Sequence, residues 1–201
     1  LAVFCLAELL WRDGALDEAA QLLAAARPVE AVRPSQRGRR CVDMLLGMVA
    51  LARGDLVAAH DHLVVALRSR MAYGFHRRAC DTLNAMAVRC ARGTSPITGA
   101  RLFGAAQAAR SGMRCPPGLF GEYWAREQAA LRAALGDGAF DAAYADGAAL
   151  ALAEAVAVAL SVEHPDLAAG SDRFTSLDQP PDGPAISEVA GPDLLDRRDG
   201  P

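Results

Sequence analysis

The feature that most limits how this chain can fold is a recurrence. The stretch CVDMLLGMVALARGDLVAAHDHLVVALRS repeats the pattern of LAVFCLAELLWRDGALDEAAQLLAAAR. Gly54 answers Gly14, Leu56 answers Leu16, Ala59 answers Ala19, Leu63 answers Leu23 and Ala66 answers Ala26, each pair 40 residues apart. A looser third copy runs from about Tyr73 to Gly112, with Ala100 lying 41 residues after Ala59. Within the first copy, Leu6, Leu9 and Leu10, then Leu16, Ala19, Ala20 and Leu23, recur at three and four residues, which is helical spacing. Asp13-Gly14 marks a turn between them. Helix pairs of this kind cannot bury their apolar faces alone, so neighbours must stack. The period predicts an all-α helical solenoid of antiparallel helix pairs.

The first copy is expected as helices over 1–12 and 15–27. Asp17 and Glu18 fall in the first turn of the second helix, where carboxylates suit the helix dipole. Pro28 and Pro34 are expected to bracket a loop. The third copy turns at the longer Gly93-Thr94-Ser95-Pro96. Three more helices are expected over about 118–135, 138–147 and 151–161, making about nine in all. The last is apolar nearly all round and is expected to be buried. Six of the 11 prolines then lie in 165–201, beside Gly, Asp and Ser, with no apolar periodicity. The expected organisation is a helical-repeat domain over 1–161 and a disordered Pro/Gly/Asp-rich tail or linker over 162–201.

Composition narrows the class. At 52% hydrophobic residues the 201-residue chain has enough apolar content for a core, so wholesale disorder is excluded. No apolar run reaches the roughly 18 residues of a membrane span, so no membrane contact is expected. Residues 1–160 hold 18 Arg against 15 Asp and Glu, a balance of +3; residues 161–201 hold 3 against 9, a balance of −6. A body this weakly basic predicts no direct nucleic-acid contact. The five cysteines are an odd number and include no CxxC pair, which reads as reduced thiols in a cytoplasmic protein. The start LAVFCLAELLW lacks a basic leader and runs straight into Arg12-Asp13-Gly14, unlike a signal peptide.

Small residues in the first helix (Ala7, Gly47), glycine at the turn (Gly14, Gly54) and alanines facing the partner helix (Ala19 and Ala26; Ala59 and Ala66) resemble tetratricopeptide repeats. The second half is similar to the end of the helical-repeat region in large actinobacterial signal-transduction ATPases, among them LuxR-type regulators and proteins with a cyclase-like amino-terminal domain. The residues that carry this are the Ala100–Ala106 helix, the Tyr123 helix, Leu135-Gly136, Phe140 and the Ala153–Val156 run. The resemblance covers about residues 1–160. It implies a protein-interaction or effector-sensing module of a multidomain transcriptional or signalling regulator, not catalytic in itself. Its partners would be a protein or peptide, or other domains of the parent regulator. In that family an ATPase module precedes the repeats and a LuxR-type helix-turn-helix often follows. This chain has no GxxxxGK[ST] segment, and without lysine none is possible. Nothing after Ser161 reads as a helix-turn-helix, so ATP hydrolysis and DNA binding do not transfer. The alternative is a free-standing helical-repeat scaffold that binds a peptide segment.

No residue pattern suggests catalysis, a cofactor or a metal. His60-Asp61-His62 places its imidazoles on different helix faces and reads as a solvated polar stretch. His76 and Cys80 are two ligands where a structural zinc needs four. Asp55 in Arg53-Gly54-Asp55 reads as an N-cap. There is no GxSxG elbow. Arg33, Arg37, Arg39 and Arg40 form the densest basic stretch, and Arg68, Arg70, Arg77 and Arg78 a second. The resemblance instead points to an inner groove. Its first-helix positions fall on Phe4, Glu8 and Trp11, then Met44, Met48 and Leu51, then Leu83 and Ala87. An apolar concave face of this kind marks a partner site, unless adjacent helices cover it.

Overall fold

A computed structural model of the protein describes residues 2–32, 41–114 and 119–164. Among these residues there are nine helices and no strand. They are α1 (Ala2–Arg12), α2 (Leu16–Val32), α3 (Val42–Arg53), α4 (Leu56–Ala72), α5 (His76–Arg92), α6 (Pro96–Gly112), α7 (Gly121–Leu135), α8 (Asp137–Ala148) and α9 (Leu152–Ser161). No helix among the described residues is long and apolar enough to cross a membrane.

Three of the turns use one device. Gly14, Gly54 and Gly74 adopt φ of 80°, 77° and 70°, a left-handed conformation that side chains disfavour. The next N–H then reaches back into the preceding helix. Ala15 donates to Leu10 O at 2.9 Å, Asp55 to Ala50 O at 3.0 Å and Phe75 to Arg70 O at 2.7 Å. These bonds satisfy carbonyls that the helix end leaves open. Asp55 Oδ1 accepts from the Ala58 N–H at 2.9 Å, so the expected N-cap is present. The α5–α6 turn differs, and Pro96 opens α6 where its missing N–H costs least.

From α1 to α6 each helix packs on the next in sequence, and α1·α3, α3·α5 and α5·α7 also touch. Small residues set the spacing. Ala7, Ala19 and Ala59 are buried, and a Cβ on Gly47 would come 2.7 Å from Leu63 Cδ2. After α6 the order changes: α7, α8 and α9 all pack against α6, and α7 and α9 also reach α5. The α6–α8 contact is the tightest. A Cβ on Gly104 would overlap the Tyr144 carbonyl, and one on Gly147 the Arg101 carbonyl.

Four expectations change. The second helix does not stop at Pro28 but runs through it to Val32. Pro28 and Ala24, whose carbonyl loses its helical donor, both lie on the exposed side, where water replaces the bond. The last helix is not buried all round: Ala155, Val156 and Ala159 face the core, while Ala153, Glu154 and Ala157 are exposed. Val162–His164, assigned from sequence to the tail, are described. Arg89 donates to Glu163 O at 2.6 Å and Asp61 Oδ1 lies 3.1 Å from His164 Nε2. Residues 165–201, and with them most of the expected disordered tail, lie outside the described residues, as do Arg33, Arg37, Arg39 and Arg40. Finally, His60-Asp61-His62 is not simply solvated. His60 is buried, its ring 4.9 Å from that of His164, and His62 Nδ1 lies 3.3 Å from Asp43 Oδ1.

Candidate functional site

The inner groove expected from the sequence is filled. Met44, Met48, Leu51, Leu83 and Ala87 are core residues, none more than 2% exposed. Phe4, Glu8 and Trp11 are half-buried. The five buried residues belong to one apolar cluster with residues of α4, α6 and α7, among them Leu63, Leu67, Phe103, Tyr123 and Trp124. The apolar stripe along α3 and α5 is therefore a core stripe. It does not serve as an open partner surface.

The seam between α1 and α7 is aromatic. The Trp11 indole N–H donates to Met48 O at 3.0 Å, which fixes the ring. Its ring stands nearly perpendicular to those of Phe120 and Tyr123, with centroids 5.3 and 5.1 Å away. Trp124 continues the cluster, 5.7 Å from Phe120 and 5.1 Å from Tyr123. Arg92 then ties three helices together. It forks onto Glu127 at 2.7 and 3.2 Å and donates to Leu51 O at 2.7 Å. Burial pushes the Tyr123 hydroxyl up to about 12, against a smaller opposing effect of Arg92.

Beside this seam lies a hollow of about 960 Å³, open to solvent. Trp11, Leu16, Ala52, Leu119 and Tyr123 give it apolar and aromatic walls, and Arg12, Arg92, Arg126 and Glu122 its polar edge. Its volume falls near the top of the roughly 300–1,000 Å³ of small-ligand sites. Arg126 stands over the Tyr123 ring at 5.2 Å. Arg12 and Arg92 close the last turns of α1 and α5, where a cation offsets the helix dipole. Leu119 stays 69% exposed at the rim. Sequence reasoning found Trp11 but missed Tyr123, Arg126 and Leu119. The only signal was the aromatic density of Leu119-Phe120-Gly121-Glu122-Tyr123-Trp124.

Two further polar clusters are structural. A crevice of only about 30 Å³ is bordered by Glu8, Cys41, Met44, Arg70, Arg78 and Asp81. Arg70 is buried there and donates to Arg78 O at 2.7 Å; Asp81 holds Arg110 at 2.6 Å and Arg78 at 3.7 Å. Burial pushes the Cys41 thiol up, and Arg70 only partly offsets this, so Cys41 is not an activated nucleophile. Cys80 Sγ donates back to His76 O at 3.5 Å. Among the described residues no three His, Cys, Asp or Glu side chains are grouped to hold a metal ion, and Cys5, Cys41, Cys80 and Cys90 are not joined in disulfides.

No protein-family model matches the chain, nor does any curated protein or solved structure.

Proposed function

We propose that this chain is a protein-interaction or effector-sensing module of a multidomain transcriptional or signalling regulator, working in the cytoplasm and not catalytic in itself. Its first six helices form a tetratricopeptide-like solenoid of antiparallel pairs, and α7–α9 close one end. The order of helix contacts and the repeated glycine turns support this reading. The observation that carries it is the hollow, where Trp11, Tyr123, Arg12 and Arg126 converge. Tryptophan, tyrosine and arginine are the residue types that most often dominate binding energy. The partner, a protein or peptide segment or a neighbouring domain of the parent, would seat an apolar side chain against Trp11 and Leu119 between the arginines.

Paired baits test the proposal. The wild-type chain and an Arg12→Ala/Arg126→Ala/Leu119→Asp variant, altered only at exposed positions, are compared for retained partners. A purified partner is then titrated against both. Binding at least tenfold weaker to the variant, about 1.4 kcal/mol or more, supports the hollow. Equal binding overturns it.

A further inference from the structure

The 40-residue register aligns the same four positions on three helices, and their burial sets α1 apart. Ala2, Cys5, Leu6 and Leu9 of α1 correspond to Val42, Leu45, Leu46 and Val49 of α3, and to Thr82, Ala85, Met86 and Arg89 of α5. In α5 all four are buried, and in α3 three are buried and Leu46 half-buried. In α1 all four are exposed, with Leu6 at 49% and Leu9 at 52%, and Val3 beside them at 37%. What covers the α3 face is known. Val42, Leu45 and Val49 pack with Ala7 of α1 and with Ala19 and Leu23 of α2. On α5, Thr82 accepts from Arg70 of α4 and the helix also packs on α3, while Arg89 at the far end of the same face reaches Glu163 O beyond α9. Helix α1 thus presents, to solvent, the face on which α3 receives the pair before it.

We propose that this face of α1 is a docking surface for a further helix pair of the same repeat type. Its second helix would carry the small-and-leucine pattern of Ala19, Leu23 and Ala26 or of Ala59, Leu63 and Ala66. The proposal rests on the stacked-pair reading given above, and continuity with the α2–α3 and α4–α5 interfaces is what selects this occupant. A helix of that pattern fits because alanine lets two backbones approach closely while leucine fills the space between them. A second copy of the chain fits less well. Its own Ala19, Leu23, Ala59 and Leu63 are already buried, so a second copy could offer only its α1 face, which lacks the second-helix pattern that α3 receives.

The test keeps the whole chain and adds to it. A second copy of residues 1–40 is placed directly before Leu1, which preserves the repeat register and supplies one more helix pair. Melting temperature and amide exchange over residues 2–12 are then compared with the unextended chain. The expected result is a melting temperature higher by several degrees and exchange in the original α1 slowed roughly tenfold or more. Leu6→Glu/Leu9→Glu in the original α1 leaves the unextended chain almost unchanged and removes both gains from the extended one. Unaltered α1 exchange in the extended chain overturns the proposal. So does an unextended chain that is already dimeric through this face and becomes monomeric with the glutamates, since the occupant is then a second copy. Neither failure touches the hollow, whose partner is read separately on the paired baits.

Discussion

Arg110 holds Asp81 at 2.6 Å across the α5–α6 pair, with both side chains more than 90% out of solvent. Asp81 has a second, looser partner in Arg78 at 3.7 Å. Ions withdrawn from water in this way contribute little net stability as a pair, but either one left alone is costly. Arg110→Met is therefore expected to destabilise the fold by about 3 kcal/mol, toward the low end of the range because Arg78 still reaches Asp81. Arg110→Met with Asp81→Leu should recover most of that loss. Chemical denaturation of the three proteins checks it, and a double variant as unstable as the single one contradicts it.

The α6–α8 contact depends on two residues having no side chain. In Gly147→Ala the new Cβ would overlap the Arg101 carbonyl, which belongs to a helix backbone and cannot swing aside. Such overpacking costs about 1–3 kcal/mol, and a clash with main chain belongs at the upper end. Gly138 lies in the same helix with open space around it and an ordinary φ. There, alanine is expected to stabilise by about 0.5–1 kcal/mol through lower chain entropy in the unfolded state. Thermal melts of Gly147→Ala and Gly138→Ala should move in opposite directions.

The two glycines also mark where the sequence stops being informative. The pairs Gly14 and Gly54, and Ala19 and Ala59, are visible because the same contact is made twice at one spacing. Ala59 is fully buried where α3 meets α4. Gly104 and Gly147 make a contact that occurs once, between helices with no counterpart earlier in the chain, so no pattern flags it. The missed site has a related cause. Met44, Met48 and Leu51 have the three-and-four spacing of a helix face, but that spacing is the same whether the face meets a partner or other helices of the chain. Periodicity identifies which side of a helix is apolar and leaves open what covers it. Pro28 misled for a local reason: a proline on the solvent side of a helix loses a bond that water replaces.

His60 gives the fold a pH dependence whose direction is fixed. Burial lowers its pKa from the ordinary 6.5, and Arg89 and His164 add to the effect, while Asp61 opposes it. The unfolded chain therefore takes up the proton first as pH falls. Its contribution is present in full above pH 6.5 and is lost as pH drops below that value toward the lower folded-state pKa. His60→Leu is expected to flatten the decline in melting temperature between about pH 6.5 and pH 5. A variant whose melting temperature tracks the wild type in parallel over that interval would falsify this assignment.

At the alkaline end the same reasoning applies to Tyr123 with the sign reversed. Its hydroxyl ionises at about 12 in the fold and at about 10 in the unfolded chain, because burial beside Trp11 and Trp124 disfavours the phenolate. The folded state thus keeps a proton that the unfolded state has released. The stabilisation is complete below pH 10 and is lost as pH rises from there toward 12. An ultraviolet absorbance titration should show one tyrosine ionising at about 12, and Tyr123→Phe should remove that late step. Because the phenol accepts only a long 3.5 Å bond from Arg92, its loss should leave the neutral-pH melting temperature nearly unchanged. Tyr123→Phe should also hold the melting temperature closer to its neutral-pH value than the wild type does above pH 10. If the late ionisation persists in Tyr123→Phe, another tyrosine carries it, and the packing assigned to the α1–α7 seam is wrong.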